Sequence, residues 1–205
     1  MSYVETWAEW ANRSESSKYS EAIHPSGSNK REWFISGYLS AVDIYALMGL
    51  PFEKSIMEYG CGTGRILTHF KNHESYGVDI TPQFVNEAKE LGLQAFLLEE
   101  FDKKVDIVYS STVFIHLNIE RTKEALKYIY DHLKEGGRAY LQIYIFKKIR
   151  RGDKFIDVNC LDLPTYQKLI KEVGFNEIKT ESHEFEFDWN ALYLNKPSIQ
   201  ILEKL

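Results

Sequence analysis

The chain has 205 residues, which fits one domain with little left over for a second. Its hydrophobic fraction of 44% excludes a disordered chain, and 25 basic against 30 acidic side chains give a net charge of −5, a poor basis for gripping a nucleic-acid backbone. No apolar run approaches the roughly 20 residues of a membrane-spanning helix. The start, Met1 to Trp10, lacks the basic and apolar regions of a signal peptide. Cys61 and Cys160 make neither a disulfide framework nor a zinc cluster, so a cytoplasmic protein without a metal is expected.

Val4, Trp7, Ala8 and Ala11 form the stripe of an amphipathic helix. The Ser-rich stretch from Asn12 to Asn29 reads as a loop. Trp33, Phe34, Leu39, Val42, Tyr45 and Met48 suggest a second helix, stopped by Gly49-Leu50-Pro51. Residues 1–50 are therefore expected to form an N-terminal helical cap, and residues 51–205 an α/β core. In that core Lys54 to Tyr59 is a short strand, followed by a glycine-rich turn and a helical Arg65 to Asn72. Ser75 to Ile80 is a second strand, and Thr81-Pro82 opens a helix with Thr as cap and Pro at the first position. Gln94 to Leu98 and Val105 to Ser110 are further strands. Asn118 caps a helix through Leu133, Gly136-Gly137 ends it, and Arg138 to Phe146 is a strong β-run. Strands alternating with helices at this spacing mean a parallel sheet.

The final third breaks that rhythm. Lys147 to Lys154 is a basic connector, read as a solvated face rather than a phosphate site. A helix from Pro164 to Val173 closes at Gly174, and two strands follow near Ile178 to Phe187 and Ala191 to Leu194. Joined by a short link, they should be antiparallel neighbours. The expected sheet has seven strands, mostly parallel, with an antiparallel C-terminal hairpin and helices on both faces.

The stretch Glu58-Tyr59-Gly60-Cys61-Gly62-Thr63-Gly64-Arg65 carries the most chemistry. Glycine there lets the backbone approach a ligand, and a following helix would offer free amides. Asp79 ends the next strand about 20 residues beyond the first loop glycine, where an acid accepts hydrogen bonds from ribose hydroxyls. The dinucleotide pattern G-x-G-x-x-G fits poorly, because the third glycine is one residue early. A purely conformational glycine turn, with Asp79 capping the next helix, is the plain alternative. Cys61, with no activating neighbour, reads as a small spacer.

The series acid-x-Gly-x-Gly-x-Gly resembles motif I of class I S-adenosylmethionine-dependent methyltransferases, which have a Rossmann-like fold. The resemblance runs over roughly residues 54 to 194. Gly77-Val-Asp79-Ile80-Thr81 resembles the family's second motif, Val105 to Ser111 its fourth strand with a structural Asp106, and Leu133 to Arg138 its turn into the fifth. Leu169 to Phe175 is similar to its last helix and glycine stop, and Tyr193 to Pro197 to its terminal strand. The resemblance implies S-adenosyl-L-methionine as cofactor, held by Glu58, Tyr59, Gly60, Gly62, Gly64, Asp79 on the ribose, Ile80 against adenine, and Ser110. The family's acid after the third strand is replaced by leucine. Either Glu99 or backbone amides would then hold the adenine amino group.

His116, in Ser110-Ser-Thr-Val-Phe-Ile-His116-Leu, follows the fourth strand at the edge where such sheets bind ligands. Its near-neutral pKa suits a general base for a hydroxyl acceptor, and packing under the next helix is the competing role. Tyr109-Ser-Ser-Thr does not resemble the Asp/Asn-Pro-Pro-Tyr/Phe of amino-directed DNA methyltransferases. The expected acceptor is a small sugar, lipid or natural-product molecule methylated on oxygen or nitrogen. Neither nucleic-acid binding nor membrane insertion is expected. The alternative is a catalytically silent relative that binds cofactor or a partner, and in such a protein the three glycines and Asp79 would be free to decay.

Overall fold

Parallel strands covered on both sides should be buried throughout, and the first two strands are. Strand β1 (Ile56–Tyr59) and strand β2 (Ser75–Asp79) have no exposed residue. The structure, a computed structural model, describes residues 30–49, 53–146, 159–182 and 199–205. Its chain divides into two units, Met1–Lys103 and Lys104–Leu205.

In the first unit β2 pairs in parallel with β1 (Met57 with Tyr76, Tyr59 with Val78) and with β3, Ala95–Leu97 (Gly77 with Ala95, Asp79 with Leu97). Helix α1 (Lys30–Met48) ends where Gly49 takes φ 56, as the Gly-Leu-Pro signal predicts. Helix α2 (Pro82–Glu90) starts at Thr81-Pro82 and buries Phe84, Val85 and Ala88. The helix expected over Arg65 to Asn72 is not α-helical. Turns lead there into one 3₁₀ turn, Leu67–Phe70. α1 is pressed onto this segment. Tyr45 stacks on Phe70 at 4.9 Å, Phe34 meets His69 edge-on at 4.5 Å, and a Cβ placed on Gly37 would lie 2.1 Å from the Arg65 carbonyl oxygen. The expected amphipathic helix near Val4 to Ala11 lies outside the described residues.

The second unit contains β4 (Val105–Ser110), α3 (Ile119–His132), β5 (Leu133–Gln142), α4 (Leu163–Val173), β6 (Phe175–Lys179) and β7 (Ile199–Lys204). Asn118 caps α3 by accepting from the Arg121 amide at 2.9 Å, and Asp162 caps α4 from Thr165 at 2.8 Å. Gly174, at φ 105, ends α4. β5 starts at Leu133 rather than Arg138. Leu133 pairs with Val105 and Arg138 with Ile107, so the Gly-Gly segment is absorbed as an irregularity inside the strand. The strand also stops at Gln142. Beyond it, Ile145 forms an isolated parallel bridge with Leu161.

The antiparallel finish is present but differently built. β7 pairs antiparallel with both β5 (Tyr140 with Ile201) and β6 (Asn176 with Glu203). β6 starts directly after Gly174, earlier than expected, and a strand not expected from the sequence runs over Ile199–Lys204, whereas Tyr193 to Pro197 lies outside the described residues. Residues 183–198, which include Ala191 to Leu194, and the basic connector lie outside the described residues. Lys204 shows why β7 escaped notice. Although charged, it is 6% exposed, its Nζ bonding the carbonyls of Tyr130 and Leu133 at the end of α3. Seven strands and four α-helices are described, parallel in the pairs among β1 to β5 and antiparallel at the C-terminal strands, a mixed Rossmann-like α/β arrangement.

Candidate active site

β1 delivers Glu58 and Tyr59, both buried, to the start of the glycine loop. Gly60, Gly62 and Gly64 all take positive φ, at 75, 52 and 85°, a region costly for residues with a Cβ. Gly64 also lacks room, since a Cβ there would lie 2.2 Å from Leu93 Cδ1. The loop is tied to the end of β2. The amides of Gly60 and Cys61 donate to the Val78 carbonyl at 2.8 and 3.0 Å. Asp79 completes the tie, accepting from the Gly62 amide on Oδ2 and from the Thr81 amide on Oδ1, both at 2.9 Å.

Asp79 thus fixes the turn that leads into α2 and clamps the loop at once. Its burial pushes the carboxyl pKa up, while the Gly62 and Thr81 amides pull it back. A carboxylate offers about four lone-pair sites, and these two amides use only two of them. Ile80, half-buried, follows directly. The segment after the loop, where an α-helix N-terminus is expected, is instead a run of turns ending in the 3₁₀ turn Leu67–Phe70. Glu99 is exposed in the 3₁₀ turn Leu98–Glu100, two residues past Leu97, the partner of Asp79 in the sheet. Its neighbour Glu100 accepts from the Leu97 amide at 3.1 Å.

Gly77 went unremarked in the sequence beyond its motif. A Cβ there would lie 2.7 Å from both Cys61 Sγ and Leu67 Cδ2, so the loop sits directly on β2. A glycine inside a strand was the available signal. Burial, then Asp79 and Glu58, push the Cys61 thiol well up. It remains a thiol and fills space.

In the second unit Ser110, fully buried, ends β4 opposite Leu141 of β5. His116 is half-buried at the close of the 3₁₀ turn Phe114–His116, its amide donating to the Val113 carbonyl at 2.9 Å. Between them Thr112 is left-handed, at φ 61. Gln142, which no motif singled out, reaches that turn from β5.

The strand pairing, the glycine loop and the clamped acid define a Rossmann-like α/β class of protein with a glycine loop tied to an acid at the end of the next strand. Residues 57–139 match the family model described as a methyltransferase domain. Solved structures share its fold. The amino pentose methyltransferase CalS10 of Micromonospora echinaspora, solved with S-adenosylmethionine and involved in calicheamicin biosynthesis, is 16% identical with a TM-score of 0.61, over 84% of this chain and 92% of that one. The magnesium protoporphyrin IX methyltransferase of Synechocystis PCC 6803, solved with S-adenosylhomocysteine, is also 16% identical with a TM-score of 0.61, over 85% and 86%. A chain from the complex of the Haloferax volcanii Trm112 activator with a methyltransferase is 14% identical with a TM-score of 0.59, over 91% and 97%. No curated protein matches by sequence.

Proposed function

We propose that this protein transfers a methyl group from S-adenosylmethionine to the oxygen or nitrogen of a small molecule, in a sugar, lipid or natural-product pathway. One observation carries the reading. Asp79 ties the left-handed glycine loop to the end of β2, the place from which an acid would accept from ribose hydroxyls. Glu58, Tyr59, Gly60, Gly62 and Gly64 line the approach to the methionine portion, Ile80 lies against adenine, and Glu99 accepts from the adenine amino group. Ser110 belongs to the same set from the end of β4. When bound, the cofactor supplies a methyl carbon on a sulfonium, which leaves with the bonding pair as a neutral thioether.

The chain's own residues hold the acceptor in line, exclude water and take its proton. His116 accepts that proton from a hydroxyl as the new carbon–oxygen bond forms. Residues 1–50 act as a cap on the core, and α1 already rests on the 3₁₀ turn behind the loop. A small acceptor also agrees with the net charge of −5.

Calorimetry with S-adenosylhomocysteine and NADH, and transfer of labelled methyl groups into a metabolite extract, test the assignment. Binding of the first ligand only, with label entering small molecules, is the expected result. Binding without transfer to any fraction would favour a silent relative. For a hydroxyl acceptor, His116→Ala should lower turnover by about 10²–10⁴ with cofactor affinity intact. A rate independent of pH and equal in both proteins would remove the base.

A further inference from the structure

Left-handed backbone at a β-branched residue is rare outside strained turns, and Thr112, at φ 61, is the one such non-glycine among the described residues. It lies two residues past the end of β4, at the C-terminal edge of parallel strands where ligands of such sheets bind. The turn is held from the neighbouring strand. Gln142 Oε1 accepts from the Thr112 amide at 2.7 Å and from the Ser111 hydroxyl at 3.0 Å, and Gln142 Nε2 donates to the Tyr144 hydroxyl at 3.0 Å.

These directions are fixed by chemistry. A backbone N–H can only donate, so the Gln142 atom facing Thr112 is its oxygen, and the amide nitrogen must turn to Tyr144. Burial pushes the Tyr144 phenol up to about 12, so it remains a neutral partner. Gln142 is 7% exposed, which makes each of these bonds expensive to lose. Ser111 is only half-buried. With its hydrogen directed to Gln142, its oxygen can offer a ligand nothing but lone pairs.

We propose that Gln142 is the positioning residue of the acceptor site, holding the Ser111-Thr112 turn so that, in the bound complex before transfer, Ser111 Oγ accepts a hydrogen bond from the proton-bearing hydroxyl or amine that receives the methyl group, a hydroxyl's proton passing to His116 only as the new bond forms. The inference rests on the methyltransferase reading above and narrows its substrate class. Acceptors with no hydrogen on the nucleophilic atom, such as thioethers and tertiary amines, are not served by this turn.

Three variants test it. Gln142→Leu removes every bond, whereas Gln142→Glu keeps an acceptor for Ser111 and Thr112 and can take a hydrogen bond from Tyr144. Ser111→Ala removes only the oxygen that meets the ligand. Thr112 amide exchange is followed by NMR, S-adenosylhomocysteine affinity by calorimetry, and kcat and KM by labelled methyl transfer to the strongest acceptor in a metabolite extract. In Gln142→Leu, Thr112 exchange should quicken and kcat/KM fall, each about tenfold or more, and Gln142→Glu should recover both. Ser111→Ala should lose kcat/KM to a similar degree with Thr112 still protected. S-adenosylhomocysteine affinity should stay within about twofold throughout.

Unchanged Thr112 exchange in Gln142→Leu overturns the proposal, as does a turnover loss that Gln142→Glu does not recover. Full activity in Ser111→Ala overturns the hydrogen bond to the acceptor. Wild-type protein that fails to bind S-adenosylhomocysteine, or that labels no small molecule, overturns the methyltransferase reading and this proposal together. Should Gln142→Leu not fold, the Gln142→Glu and Ser111→Ala results still decide it.

Discussion

Asp79 is asked to do two things that oppose each other in pH. Burial raises its pKa above the unfolded value, so the folded apo protein holds the proton more tightly than the unfolded chain does. Stability from this group is greatest at low pH and declines as pH rises from the unfolded pKa through the folded one. On the proposed reading ribose hydroxyls would donate to the ionised carboxylate, so cofactor affinity should run the other way, weakening as pH falls through the folded pKa. Hydrogen bonds to a charged group contribute about 1.5–3 kcal/mol each. Asp79→Asn, whose NH₂ must also face one of the two amides, should bind cofactor about 10–100-fold more weakly and with a flat pH profile. Calorimetry between pH 4 and 8 would show this, and an unchanged pH slope in the variant would remove Asp79 from the ribose. The same clamp was half legible in the sequence. The spacing of Gly60 and Asp79 predicted a ribose acid, while the bond from the Gly62 amide appears only once loop and strand are folded together.

At the scale of elements, α1 makes a sharp test of close packing. Glycine within a helix ordinarily disfavours it, and replacement by Ala gains about 0.8–1.0 kcal/mol. Gly37 reverses that expectation, because the added Cβ would lie 2.1 Å from the Arg65 carbonyl oxygen. The obstacle is backbone and cannot swing away, and overpacking of this kind costs about 1–3 kcal/mol. Gly37→Ala should therefore lower the melting temperature, whereas a rise would show that α1 does not rest on the segment after the loop. Periodicity found α1 from its apolar residues, and capping chemistry found α2, α3 and α4. Pattern reading failed where a partner far along the chain set the conformation, as in the 3₁₀ turn under α1 and in β7.

For the whole molecule, 205 residues with a net charge of −5 provide little electrostatic attraction for a polyanion. Among the described residues no helix is long and apolar enough to cross a membrane. We expect no retardation of duplex DNA or transfer RNA at physiological salt, where cationic contacts provide most non-specific affinity. A tight complex that weakens steeply with added salt would contradict the small-acceptor reading and direct attention to Lys147 to Lys154. The likeness to CalS10 and the magnesium protoporphyrin IX methyltransferase, at 16% identity, concerns the fold, and loops of such folds are where acceptors are chosen.

By itself the sequence determined the alternation of strands and helices, their caps, and a glycine loop followed by an acid at cofactor spacing. Those features are written in signals a few residues apart: apolar periodicity, turn chemistry, Asn118 as a cap, Gly174 as a stop, and glycines where φ must be positive. Only the tertiary structure decided which of them meet. It set Gly77 beneath Cys61, buried Lys204 against carbonyls 74 and 71 residues away, and joined Gln142 to a strained threonine 30 residues earlier. Such contacts leave no local periodicity, because burial and chain crossing bring the partners together, and nothing near either residue in sequence is changed by it.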